Sequence, residues 1–200
     1  IEVILQDLNG LLPQMFPDHF LWERLLLRKS VPQADVNAYL GLWGDLQDPD
    51  IESWMAGEVE PIQLSGGMTY PNGFAQNSLI LERVFDDRPE LAADLLSFSN
   101  VDAPFETNFL HSPELLLDSL FDAPVAGGIK ALRHQDSMTN AGILEKILPN
   151  DLPLDFLNGY RSNLLKVEIF VELEDASWRD KRTVRLQASS KPPYEIVLND

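Results

Sequence analysis

Asp45, Asp48 and Asp50 fall within the six residues DLQDPD, and Glu52, Glu58 and Glu60 follow closely. Calcium takes about six to eight hard oxygens at one place, from carboxylates and carbonyls on a flexible loop. This run supplies carboxylates in excess, and Pro49 bars a preceding helix from continuing through it. The spacing is not that of an EF-hand loop. Aspartate is also a poor residue inside a helix or at its negative C-terminal end, so the run stops a helix whatever else it does. From the residues alone two readings stay open: a calcium site, or a solvated turn.

Other reactive side chains are few. The histidines are His19, His111 and His134. His111-Ser112 has the residue types of a hydrolase fragment, but no G-x-S-x-G nucleophile elbow exists in the chain. Ser112 before Pro113 suits a helix N-cap, and Glu114 suits a first turn. Ser65-Gly66-Gly67 lacks the lysine of a phosphate loop. With no cysteine, disulfides, thiolate zinc and thiol nucleophiles are excluded. No catalytic residue and no organic cofactor is indicated.

Composition limits the partners. The chain has 200 residues, 44% hydrophobic and 24% charged, ordinary for a folded protein with a sizeable core. Its net charge of −17 is unusual. Residues 1–150 hold 23 acids against 8 bases, and residues 151–200 hold 9 against 7. Such a surface repels phosphate backbones, so nucleic acid is not an expected partner. A cation or a basic protein surface is. No membrane-length apolar run is present in the sequence. The chain starts at Ile1 inside a strand-like segment, and further sequence is expected before it.

The elements that must carry these residues change in period along the chain. IEVILQ (1–6) reads as a strand, and DLNG (7–10) as a turn. NLLKVEIFVELED (163–175) alternates, with Leu165, Val167, Ile169, Val171 and Leu173 on one face and Lys166, Glu168, Phe170, Glu172 and Glu174 on the other. TVRLQAS (183–189) and YEIVL (194–198) complete a three-stranded antiparallel meander, with DASWRDK and KPP as links. Between the ends the period is helical. Helices are expected from Pro17, from Pro32 through Trp43, over Ser78–Phe85, from Pro89, from Pro113, over Val125–Arg133 and over Ala141–Leu148. Several carry proline in the first turn. Residues 54–73 show no period and read as a long loop. Trp22, Trp43 and Trp54 at helical spacing read as core, and Gly127-Gly128 as close packing.

A lone six-residue strand is unstable without partners. Strand 1–6 must therefore pair with the meander, which makes the helical block an insertion. The expected fold class is α+β: an antiparallel sheet from residues 1–13 and 158–200, with an all-α domain inserted at 14–157.

On these residues the chain resembles the K-type minor pseudopilins of the general secretion pathway (type II secretion). The opening VILQDLNGLL (3–12) is similar to the family's strand-Asp-x-x-Gly start. DLQDPD matches a D-W-L-D-P-D pattern through Asp45, Asp48, Pro49 and Asp50, with Leu46 at the usual tryptophan. Gly57-Glu58, Tyr70-Pro71-Asn72 and Leu81-Glu82-Arg83-Val84 resemble the segments that follow, with Ile80 where the family often has glutamate. FETNFLHSPELLLDSL (105–120) is similar to the family's INVNTAPAEVLAAL, and Ser162–Val171 with Arg182–Leu186 to its closing strands.

The resemblance implies a pilin-like sheet with an inserted helical domain and a natural N-terminal membrane helix preceding it. It implies a non-enzymatic protein, anchored in the inner membrane of a Gram-negative bacterium and facing the periplasm. Its place would be the pseudopilus tip, beside I- and J-type minor pseudopilins. It also implies calcium at Asp48, Asp50 and Glu58, with Asp45 in reserve. A minor pilin of a type IV pilus and a calcium-dependent periplasmic binding module are the alternatives.

Overall fold

The computed structural model describes residues 1–15, 20–47, 79–133, 143–152, 163–173, 176–187, 192 and 194–199. Strand β1 (Glu2–Asp7) runs antiparallel to β4 (Leu164–Leu173), with Glu2 opposite Phe170 and Asp7 opposite Leu165. β4 pairs with β5 (Ala176–Leu186), and β5 with β6 (Tyr194–Asn199), both antiparallel. The order β1-β4-β5-β6 is the expected sheet, its first strand joined to a C-terminal meander across residues 8–163. The fold is α+β, as the alternation of the sequence predicts.

The helices follow their sequence signals. They are α1 (Phe20–Arg28), α2 (Gln33–Asp45), α3 (Leu79–Val84), α4 (Pro89–Phe98), α5 (Glu114–Leu120) and α6 (Ala123–Leu132), followed by a helical turn at 143–147. Proline marks starts because its missing N–H is a group the first turn leaves unbonded anyway. Pro89 opens α4, while Pro32 and Pro113 stand just before α2 and α5. Asp122 caps α6 by accepting from the Val125 N–H at 3.2 Å. Residue 17, the expected start of α1, and the loop 54–73 with Trp54 lie outside the described residues.

Two features depart from the sequence reading. Leu12–Pro13 (β2) and Ser99–Asn100 (β3) form a two-residue parallel pair that no alternation announces. The segment SWRDK, expected as a link, is strand: β5 starts at Ala176, with Trp178 opposite Val171 and Arg179 opposite Phe170. Cross-strand partners hold these polar residues extended, and side-chain pairing of that kind outweighs the turn preference of Asp and Ser.

The chain forms two compact units. One comprises Ile1–Leu11, Glu106–Leu117 and Asp122–Asp200; the other comprises Leu12–Phe105 and Asp118–Phe121. In the second, Trp22 and Trp43 are fully buried and meet edge to face, their ring centroids 4.7 Å apart. The Trp22 indole N–H donates to the Pro13 carbonyl at 3.0 Å. Both tryptophans are core, as read from their spacing. Arg24 and Arg28 bond the Leu120, Ser119 and Phe121 carbonyls, capping the C-terminal end of α5.

In the first unit Gly10 lies against the segment before α5. A Cβ on Gly10 would stand 2.1 Å from the His111 carbonyl oxygen, so no larger residue fits. The Gln6 amide donates to that same carbonyl at 2.8 Å, and the Asn108 N–H donates to the Asn9 carbonyl at 2.6 Å. Arg133, at the end of α6, closes the arrangement by donating to the Phe109 and Ser112 carbonyls. Burial pushes its guanidinium pKa down, and Glu114 partly offsets this.

Candidate functional site

The acidic run begins at a buried helix end. Asp45 is the last residue of α2 and is buried. Leu46 follows as the cap, its N–H bonded to the Leu42 and Gly44 carbonyls, and is buried in turn. Gln47 sends its amide to the Gln14 carbonyl at 2.9 Å. The Gln14 amide donates to the Ser99 hydroxyl at 2.8 Å, which donates to the Leu95 carbonyl at 2.7 Å. Three segments thus converge on the point where the acidic run leaves the helix. The side-chain oxygens of Gln14 and Gln47 and the indole N–H of Trp43 are buried without a hydrogen-bond partner. Sequence reading missed Gln14 and Gln47, because glutamine carries no periodic signal.

Of the predicted calcium ligands, the structure places Asp45 alone. Asp48, Asp50 and Glu58 lie outside the described residues. Among the described residues no group of three or more metal-binding side chains converges. The two family departures carried by described residues, Leu46 and Ile80, are both buried. His19, His134 and the SGG loop are also outside the described residues. His111 is tied in through its backbone carbonyl, and the Ser112 hydroxyl reaches the Asn108 carbonyl at 3.5 Å.

The sheet offers a second site. Opposed residues of an antiparallel pair share a face. The register therefore gathers Val3, Leu5, Val167, Ile169, Val171, Trp178, Val184 and Ile196 on one side. The same face also carries Asp180 and Arg182, paired with each other at 2.7 Å, and Asp7 at the end of β1. This face is not sealed. Val3, Leu5, Trp178 and Ile196 are exposed, and Val167, Ile169 and Val171 are half-buried. Alternation marked the face as apolar, and the structure leaves it more open than a core strand.

The other face carries an ionic hub. Glu168 pairs with Arg179, with Lys166 at 3.5 Å and with Lys181 at 3.6 Å. Burial alone would raise its pKa, but the Arg179 hydrogen bond and the charges of Lys181 and Lys166 outweigh burial and hold it below the usual range. Lys166 along β4 and Arg179 and Lys181 on β5 thus share the Glu168 carboxylate on the face expected to be wet.

No protein-family model and no curated protein matches the chain. Among solved structures it is similar to a chain of the GspK-GspI-GspJ complex from the enterotoxigenic Escherichia coli Type 2 Secretion System. The TM-score is 0.72 at 11% sequence identity, covering 99% of this chain and 78% of that one. The two chains share a fold.

Proposed function

We propose that this chain is a K-type minor pseudopilin of type II secretion, a non-enzymatic subunit whose chemistry is protein–protein contact. The observation that carries this reading is the chain order. A short first strand completes a C-terminal meander across residues 8–163, and the whole arrangement follows that of a chain in a secretion-system complex over 99% of its length. The resemblance of DLQDPD and its flanking segments to the family supports the same assignment independently of the fold.

On this reading the subunit stands at the tip of a pseudopilus, where its helical residues hinder addition of further subunits and its sheet docks neighbouring ones. The open apolar face through Val3, Leu5 and Val167 suits cover by an N-terminal helix preceding Ile1, which would also anchor the subunit in the inner membrane with its body in the periplasm. Among the described residues no helix is long and apolar enough to cross a membrane. Its partners would be the I- and J-type minor pseudopilins. Calcium at Asp48, Asp50 and Glu58, with Asp45 at the helix end, would neutralise the acidic run.

Sedimentation of the chain with soluble domains of I- and J-type pseudopilins tests the assembly role. A defined heteromer is expected at tens of micromolar, roughly the range of weak specific interfaces. A mixture that sediments as separate monomers at that concentration rejects it.

A further inference from the structure

We infer that the outer edge of β1 is a docking edge, taken by a β-strand of an unlike neighbouring subunit that is apolar at its centre and basic at its ends. The inference rests on the assembly reading above and names the surface that serves it. All six residues of β1 pair with β4 on one side, and the order β1-β4-β5-β6 leaves the other side of β1 without a strand among the described residues. Unpaired N–H and C=O groups along an edge are satisfied best by another extended backbone.

The side chains point to the same occupant. Val3 and Leu5 lie on one face of the sheet and Ile4 on the other, yet all three are exposed, at 54%, 63% and 49%. A helix laid on the Val3 and Leu5 face, as proposed above, leaves Ile4 and the edge backbone itself uncovered. A strand added at the edge flanks both sets at once. Edge strands that must stay unpaired carry charged side chains, lysine above all, proline or a bulge. Glu2–Asp7 has no lysine, proline or bulge, and its charges stand only at its two ends. The opposite edge differs: a register break at Thr183/Val184 interrupts the β5–β6 ladder, and Glu195 of β6 is engaged by Arg185 and Gln187.

Charge selects between an unlike partner and a second copy. Two copies paired antiparallel about Ile4 would set Val3 opposite Leu5, a good apolar match. That pairing joins two bodies of net charge −17 along one short strand. A partner strand with lysine or arginine near Glu2 and Asp7 makes the same apolar contacts with attraction in place of repulsion.

The experiment uses the 200-residue chain with the soluble I- and J-type domains as probes. Backbone hydrogen exchange is followed with and without the probes. Affinities are measured for the parent, Ile4→Lys, Leu5→Lys and a control, Leu115→Lys, at another exposed leucine. Slowed exchange in β1 on complex formation is expected. Each β1 variant should bind about tenfold more weakly or worse, the scale of one interface anchor, while the control binds as the parent does. A parent complex with β1 still exchanging freely and both β1 variants at parental affinity overturns the inference and leaves the assembly role standing. Dimers of the chain alone that protect β1 also overturn it, by making a second copy the occupant. No complex at all removes both readings.

Discussion

Glu168 shows how one residue joins the sheet's electrostatics to its stability. Its carboxylate faces Lys166, Arg179 and Lys181 on two strands. Because its folded pKa is depressed, its contribution is fully present above the ordinary glutamate value and is lost as pH falls through the folded one. Glu168→Gln should therefore cost about 1 kcal/mol at neutral pH, with the exposed Arg179 limiting the value. The deficit should shrink below about pH 5, as unfolded glutamate takes up protons, and be gone once the folded carboxyl is protonated too. Urea titrations of parent and variant from neutral to acid pH measure this. A deficit that stays constant with pH would show that the charge is not what matters. Gly10 is the complementary case, fixed by a backbone contact with His111 rather than by charge. Alternation exposed Glu168 as a polar-face residue. The close approach at Gly10 has no sequence signature beyond the glycine itself.

The elements repeat this division. Helix α6 carries Gly127 and Gly128 side by side, read from sequence as one packing feature. The structure separates them. A Cβ on Gly127 meets nothing within 4 Å, whereas one on Gly128 comes to 3.0 Å from the Ile147 Cγ2. Gly127→Ala should thus stabilise the chain by about 0.5–1 kcal/mol through helix propensity alone. Gly128→Ala should fall short of it by about 1 kcal/mol, because Ile147 must give way. Thermal or urea unfolding of the two variants decides the matter, and equal stabilisation would mean Ile147 does not pack there as described. Strand β5 is the converse. Its polar first half reads as turn chemistry, yet opposite Val171, Phe170 and Glu168 it is strand. A pairing partner about ten residues upstream in the ladder overrides local preference.

For the whole molecule the dominant fact is charge. Carboxylates crowded at 45–50 repel one another unless a cation offsets them. A cation bound by the folded chain alone raises global stability by mass action, on the order of a few kcal/mol when it far exceeds its dissociation constant. Melting of the parent and of Asp48→Asn/Asp50→Asn with calcium, magnesium or chelator reads this directly. Calcium should raise the melting temperature of the parent and much less that of the double variant. Magnesium should substitute poorly, because it demands tight octahedral geometry and keeps its waters. The calcium proposal is falsified if calcium leaves the melting of the parent unchanged, and an equal shift in parent and double variant moves the ion elsewhere.

Sequence by itself determined the strand and helix periods, the joining of the first strand to the C-terminal meander, and the burial of Trp22 and Trp43. The first and last follow from a repeat of two or of about 3.6 residues written along the chain, and the second from the instability of a lone strand. Tertiary structure alone decided the β2–β3 pair, the Gln14–Ser99 and Gln47–Gln14 contacts, the difference between Gly127 and Gly128, and which strands stand at the edges of the sheet. These depend on residues far apart in sequence meeting in space, and no local period records which partner a backbone group or a glycine will face.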